Sequence, residues 1–265
     1  MRLLKILRQD LENILRNPVL IFSNTILPLI LIGVMGFVTK GGFGTELVSS
    51  FDYYGVNMLI FSVGMIAITA TNAFMEERVK RGNFRIVYAP ISKEEIYLSK
   101  ILSSYLLSAV CYSVLVLGCQ YLLGLNMGGR NCIYFILLLN AFSFCGCCFG
   151  TMFCCIFKDE EQANSIMQIP LFLSIILGGV IFQIHRFGDF LNSLSLISPV
   201  KWVAACSYQI IYDNDLHLLL PVIAGLLILS LVFIGICHIL FRPEDYLYPA
   251  LGVRLIDCRS SYCQK

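Results

Sequence analysis

The sequence predicts an all-α polytopic membrane protein with six transmembrane helices, an N-terminal interfacial amphipathic helix and short outer helices before the last span. Composition is the first observation behind this prediction. Of the 265 residues, 58% are hydrophobic and 14% are charged, against about 45–50% and about 25% in globular proteins. So few polar side chains cannot cover a surface that faces water. The solvent for most of this chain is therefore lipid.

The second observation is the spacing of charge, because six long stretches contain no Asp, Glu, Lys or Arg. These stretches are 17–39, 53–75, 101–129, 131–157, 162–184 and 216–241. Each exceeds the roughly 20 residues with which a helix crosses a bilayer core of about 30 Å. Lipid cannot satisfy free backbone polar groups, so the spans should be helices. We place them near 20–38, 55–74, 101–123, 133–157, 166–184 and 216–241.

The third observation is the distribution of basic residues, which predicts the orientation. With six spans, the N-terminus and the segments 75–100, 158–165 and 242–265 share one side, and they hold 15 of the 19 Lys and Arg residues. Both termini should therefore be cytoplasmic. No internal repeat or low-complexity tract divides the chain, so 1–265 is predicted to form a single membrane domain.

Residues 1–17 predict the interfacial helix. Leucine and isoleucine recur at helical spacing from Leu3 to Leu15, and charged and amide side chains occupy the other face. Such a helix lies in the cytoplasmic interface, with its basic residues near lipid headgroups. The alternative is a solvated helix packed on a partner. Pro18 should end the helix, because the residue before a proline disfavours the helical conformation.

The outer connection, 185–215, is longer than a turn and only weakly polar. No run within it is long enough to cross the membrane, so we expect short helices at the outer leaflet. Trp202 and Tyr208 should lie at headgroup level.

The cysteines concentrate in the fourth span, where five occur between Cys145 and Cys155. No His or carboxylate accompanies them, and buried thiols behave as small hydrophobic groups. We therefore predict helix packing rather than a metal site or a disulfide framework.

The spans contain no Asp, Glu, Lys or Arg and only two histidines, and this excludes several classes of function. Ion-driven transporters and intramembrane proteases place acids, bases or metal ligands within the membrane. The chain also has no G-x-x-x-x-G-K-[ST] loop to hold nucleotide phosphates. If ATP drives this protein, a separate subunit must bind it.

The segment 76–93 is the best place for such a subunit to dock. Charge is dense in "EERVKRGNFRIVYAPISK", Gly82 can end its first helix, and Ser92 with Glu95 forms an S-x-x-E capping box for the next. A short, rigid, polar element of this kind can dock in a cleft and transmit a push. The alternative is a basic anchor that only sets topology, which leaves the glutamates and the capped turn unexplained.

Four stretches spread over nearly the whole chain also carry a family resemblance. They are "RNPVLIFSNTILPLIL", "ERVKRGNFRIVYAPISKEEIYLSKIL", "EEQANSIMQIPLFLSIILGGVIF" and "LNSLSLISPVKWV". In order and spacing they resemble the ABC-2 type permeases, the membrane subunits of ATP-binding-cassette exporters, and drug- and bacteriocin-type exporters in particular. Asn83, where a Thr commonly follows the Gly, and Ile184, where a Pro often occurs, depart from the pattern. They weaken the subfamily assignment more than the family assignment.

The resemblance implies a multi-pass subunit of the cell membrane that is not itself an enzyme. Two such subunits, identical or different, would form the pathway, and two copies of an ATPase subunit would bind ATP and Mg²⁺ beneath them. The residues expected to couple to the ATPase are Glu76, Glu77, Arg78, Lys80, Arg81, Gly82, Ala89, Pro90 and Lys93, with a second contact at Lys158, Asp159, Glu160 and Glu161.

The family places spans two and five at the dimer interface, which makes their polar residues candidates for the pathway. These are Asn57, Thr69, Thr71, Asn72, Gln168 and Gln183. Each is equally compatible with a hydrogen bond between helices. A pathway without charge suits an amphipathic cargo, such as a drug, an antimicrobial peptide or a lipid-like molecule. The rival class is an ATP-independent membrane protein such as a scramblase, a scaffold or an immunity protein.

Overall fold

The computed structural model describes residues 2–39, 49–75, 93–180 and 194–241. Within these ranges the regular elements are helices, which confirms the all-α prediction there. They are α1 (Arg2–Leu15), α2 (Pro18–Val38), α3 (Ser50–Gly64), α4 (Ile66–Met75), α5 (Lys93–Tyr121), α6 (Cys132–Phe157), α7 (Glu160–Leu177), α8 (Pro199–Tyr208) and α9 (Leu219–Leu240). A 3₁₀ turn, Gly129–Asn131, precedes α6, and a π-helical turn, Gln209–Asp213, follows α8.

Five segments of the described chain are long and apolar enough to cross a membrane, by length and composition. They are Pro18–Val38, Ser50–Met75, Lys93–Tyr121, Gly129–Phe157 and Leu219–Leu240. These correspond to the first four predicted spans and the last. The fifth predicted span, near 166–184, begins inside α7, whose first turn carries Glu160 and Glu161. Residues 181–184 of that span lie outside the described ranges.

Helix α6 is the centre of the bundle and packs against α4, α5 and α9. Its glycines allow a close approach to α4. A Cβ atom added at Gly150 would lie 2.3 Å from the carbonyl oxygen of Ala67, and one added at Gly146 would lie 2.6 Å from Cγ2 of Ile66. Small residues at helix crossings are typical of membrane bundles. The cysteines of α6 are buried as well, and Cys147 is fully enclosed.

The second membrane segment is interrupted near its middle. Helix α3 ends at Gly64, Met65 forms a turn, and α4 begins at Ile66. The last carbonyl groups of a helix lack intrahelical donors. One of them, the carbonyl of Ser62, accepts a hydrogen bond of 2.8 Å from the hydroxyl of Tyr112 on α5. The interruption therefore draws a polar group from a neighbouring helix into the bundle.

Helix α1 packs on α5 and divides its apolar side between two environments. Ile6, Asp10 and Ile14, spaced one turn apart, are buried. Leu4 and Leu15, also apolar, are 64% and 49% exposed. The helix ends as expected beside Pro18, and the side chain of Asn17 caps α2 by accepting a hydrogen bond from the amide of Val19. Helix α1 is thus fixed to the bundle along one face and keeps exposed apolar side chains; its place at the membrane interface stays a prediction.

Candidate functional site

Two of the predicted pathway residues, Thr69 and Asn72, line a cavity of about 250 Å³ between α2, α3–α4 and α5. We call this cavity the groove. Its polar side chains are Ser23, Asn24, Ser62, Thr69, Asn72 and Tyr112, and the remaining lining side chains are apolar. No charged side chain lines the groove. It is the kind of mixed apolar and polar concavity in which small amphipathic molecules bind.

One wall of the groove is a narrow stripe of the second membrane segment. From Tyr54 to Met75 this segment is buried, except at Phe61, Met65, Ile68 and Asn72. Their spacing places them on one face of the helical segment, and all four line the groove. The second membrane segment thus presents almost no other surface to its surroundings.

The opposite wall comes from α2, where Asn24 links three helices. Its Nδ2 donates to the carbonyl oxygen of Leu20 at 2.7 Å and to the hydroxyl oxygen of Thr69 at 3.0 Å. Its Oδ1 accepts from the hydroxyl of Tyr112 at 3.3 Å. Pro28, one turn further along α2, has no N–H to bond the Asn24 carbonyl. This part of α2 therefore carries more hydrogen-bonding capacity than an unbroken apolar helix.

Sequence reasoning missed Asn24, Ser62 and Tyr112. A signal for Asn24 is present, because an amide followed four residues later by proline is unusual in an apolar span. A signal for Tyr112 is also present, because tyrosines are enriched at membrane boundaries and Tyr112 lies at the middle of the predicted span 101–123. Its role depends on the interruption at Met65, which only the fold reveals.

Thr71, another predicted pathway residue, forms hydrogen bonds away from the groove. The hydroxyl of Thr71, fully buried, donates to the carbonyl oxygen of Ala67 at 3.0 Å and lies 3.4 Å from that of Gly150. Asn72 extends from the groove to α7, where its Oδ1 accepts from Nδ2 of Asn164 at 2.8 Å. Gln168, on α7, is half-buried. Gln183 lies outside the described residues.

Asn57 belongs to an aromatic cluster at the end of the bundle predicted to be outer. Its Oδ1 accepts from the hydroxyl of Tyr208 at 2.5 Å, and the Tyr208 ring stacks on those of Tyr53 and Tyr212. Burial is the main cause that raises the pKa of Tyr212, to about 12, and burial also raises the pKa of Tyr208. Both phenols are neutral at physiological pH. The π-helical turn that carries Tyr212 is a feature often found at functional sites.

The predicted coupling residues divide between described and undescribed chain. Glu76, Glu77, Arg78, Lys80, Arg81, Gly82, Ala89 and Pro90 lie outside the described residues. Lys93 is exposed and begins α5. Lys158 adopts a left-handed conformation (φ 59°) at the end of α6, Asp159 caps α7 by accepting from the amide of Gln162, and Glu160 begins α7. This second predicted contact is a tight, charged turn between two helices.

In the described ranges, no group of His, Cys, Asp and Glu is arranged to hold a metal ion. The chemistry on offer is hydrogen bonding by neutral amide and hydroxyl groups inside an apolar bundle. Comparison with known proteins places this arrangement in a family. The model of the ABC-2 type transporter family matches residues 2–212. The chain belongs to the ABC-2 type transporter family.

A curated relative agrees with that assignment. Over 157 residues the chain is 22% identical to the linearmycin resistance permease protein LnrN of Bacillus subtilis (strain 168). The match covers 58% of this chain and 40% of that protein, so the chain spans well under half of its relative's length. As a member of the ABC-2 type transporter family, the chain is a transporter membrane subunit.

Proposed function

We propose that this chain is the permease subunit of an ABC exporter of the cell membrane, and that it moves a neutral amphipathic cargo by alternating access. A separate ATPase subunit, in two copies, would bind ATP and Mg²⁺ and dock on 76–93 and the turn at Lys158–Glu160. The groove carries this proposal, because it combines uncharged hydrogen-bonding groups with apolar walls in a chain of this family.

The chemistry of the groove favours a cargo with hydroxyl or amide groups and no net charge. Burying such a group without a partner costs about 1–3 kcal/mol, and Asn24, Thr69 and Tyr112 supply partners. A charged group would find no counter-charge there, and a lone charge within the membrane costs about 2.5–3.5 kcal/mol or more. The name of LnrN, a resistance permease, supports export of a harmful small molecule.

The size of the groove favours a dimer. Its volume of about 250 Å³ is below the roughly 300–1,000 Å³ of typical small-molecule sites. In this proposal one subunit therefore supplies part of the pathway, and a second permease subunit, identical or different, would supply the rest.

The test is reconstitution of the permease with its ATPase subunit in proteoliposomes. We expect neutral amphipathic compounds to stimulate ATP hydrolysis and to be transported only when ATP is present. Transport that proceeds equally without ATP, or a permease that binds no ATPase subunit, would contradict the proposal. Reversing the charge of Arg78 and Arg81 should release the ATPase and abolish stimulation.

Asn24 provides a sharper test of the groove, because the chain offers a matched control. Asn140, on α6, also donates to a carbonyl one turn earlier, that of Ile136, but lies outside the groove. Asn24→Leu should raise the cargo concentration for half-maximal stimulation by about tenfold, the effect of an unpaired polar group of roughly 1.4 kcal/mol. Asn140→Leu should change it less than about twofold. Equal shifts for both variants would show that the cargo does not bind in the groove.

A further inference from the structure

A buried ion pair joins α1 to α5. Nζ of Lys100 lies 2.5 Å from Oδ1 of Asp10, and the hydroxyl of Ser99 donates to Oδ2 of the same carboxylate at 2.8 Å. The side chains of Lys100 and Asp10 are 3% and 1% exposed. Lys100 directly precedes the charge-free stretch 101–129. The sequence pattern gave Asp10 no special place on its helix. The two charges meet only in the folded chain.

This pair is a costly way to attach a helix. Removing two charges from water costs several kcal/mol per ion, and well-packed apolar residues often replace such a pair with no loss of stability. Ile6 and Ile14 already provide apolar contacts one turn before and after Asp10. In some proteins a buried polar or ionic group is kept instead because it fixes the register between two helices.

In chain order, Lys100 lies between the predicted site of energy input and Tyr112 of the groove. Lys100 is seven residues, about two turns, after Lys93, where the segment 76–92 joins α5. On the other side, α1 connects through the Asn17 cap to α2. Helix α2 contributes Asn24 to the groove, and α5 contributes Tyr112. Two of the helices that line the groove, α2 and α5, are therefore connected to the two partners of the ion pair.

We propose that Asp10 and Lys100 form the joint that carries a displacement of the segment 76–92 to α2 and α5, two of the helices that line the groove. Helix α5 moves directly, because it continues from that segment. Helix α2 moves through α1, which the ion pair locks to α5 at a fixed register. The two residues are positioning residues and touch no cargo. This inference rests on the proposed function, since it requires an ATPase that pushes on 76–93.

The experiment uses the reconstituted permease–ATPase complex and measures cargo transported per ATP hydrolysed. The decisive variant replaces both partners with apolar residues, Asp10→Leu with Lys100→Met, so that no buried charge is left alone. Hydrogen exchange of α1 and co-purification of the ATPase establish that the variant folds and docks. Basal ATP hydrolysis should stay near the wild-type rate.

We expect transport per ATP to fall by roughly tenfold, within the 5–150-fold range of measured couplings between sites. Lys100→Arg, which keeps the charge pair, should retain at least half of the wild-type ratio. The matched control is Arg8→Ala with Glu12→Ala. It removes the exposed ion pair of the same helix, whose side chains are 83% and 51% exposed, and should change nothing.

Two results would overturn the proposal that Asp10 and Lys100 form this joint. One is an apolar pair with the wild-type ratio of transport to hydrolysis, which would make the ion pair purely structural. The other is a well-folded Lys100→Arg variant that loses the ratio as completely as the apolar pair does. A wild-type complex without ATP-dependent transport would instead refute the proposed function, and the two failures are therefore distinguishable.

Discussion

The second and last membrane segments are both apolar enough to cross a membrane, but they have opposite surroundings. In the most apolar 18-residue window, 78% of the residues of Ser50–Met75 are buried, against 11% for Leu219–Leu240. Helices α2, α5, α6 and α7 surround α3–α4, and only the stripe along the groove is left open. Helix α9 instead exposes side chains such as Ile228 and Leu231. Hydropathy shows that both segments leave water. It does not show whether a segment faces lipid or the packed interior, because the two environments are equally apolar.

The largest expected effect disrupts the close packing of the second membrane segment against α6. Gly150→Ala places a methyl group 2.3 Å from the Ala67 carbonyl oxygen, a backbone atom that cannot swing aside. Helices α4 and α6 must separate, at a cost near or above the top of the range of about 1–3 kcal/mol for overpacked cores. The measurement is the free energy of unfolding in bicelles.

Gly235→Ala is the matched control on α9, where an added Cβ would meet no atom within 4 Å. Alanine is the better helix former, so this change should be neutral or stabilising by up to about 1 kcal/mol. Similar destabilisation by both substitutions would show that the two glycines act through the helix backbone rather than through packing.

A smaller effect comes from removing packed volume. Leu59 is fully enclosed on α3, and Leu59→Ala should destabilise by about 2 kcal/mol, the low end for buried leucine. The low end applies because the side chain moves between protein and lipid rather than between protein and water. Leu231→Ala on α9, where the leucine is 67% exposed, should cost well under half as much. Equal costs would mean that α9 is also packed, for example against a second subunit.

The smallest expected effect on stability concerns the stripe of α3–α4 that lines the groove. Tyr112→Phe removes the hydroxyl that donates to the Ser62 carbonyl oxygen and to Asn24, at a cost of about 0.6–1.5 kcal/mol. It should also weaken stimulation of ATP hydrolysis by neutral cargo. Tyr121→Phe, at a 75% exposed position of the same helix, is expected to leave both quantities unchanged. If Tyr112→Phe lowers stability but not stimulation, its hydroxyl serves only the interruption at Met65.

The charge-free stretches predicted where the membrane helices form but not how far they extend. Helix α7 begins at Glu160, inside charged sequence, and α5 begins at Lys93, directly after the predicted capping residue Ser92 and well before the charge-free stretch. Charges end a membrane core without ending a helix, because the backbone continues its hydrogen bonds into the interface. This is why Lys100 was assigned to the connection and is instead buried within α5.

The candidate site was predicted in part. Thr69 and Asn72 were selected as polar residues of the second segment, and they line the groove. Asn57 and Thr71, selected by the same rule, bond neighbouring helices away from it. A polar side chain in a span reveals that it needs a partner, but its partner depends on which face of the helix meets which neighbour. Whether any of these residues contacts cargo stays a prediction.

By itself the sequence determined that this chain is an all-helical membrane protein of the ABC-2 type, because hydropathy, charge spacing and motif order are local properties. Tertiary structure alone decided which apolar segment is enclosed, which polar side chains share the groove, and that Asp10 meets Lys100 across 90 residues of chain. The physical reason is that partition out of water depends on composition along one segment. Pairing depends on rotation and register between segments, and these are fixed only when the helices pack.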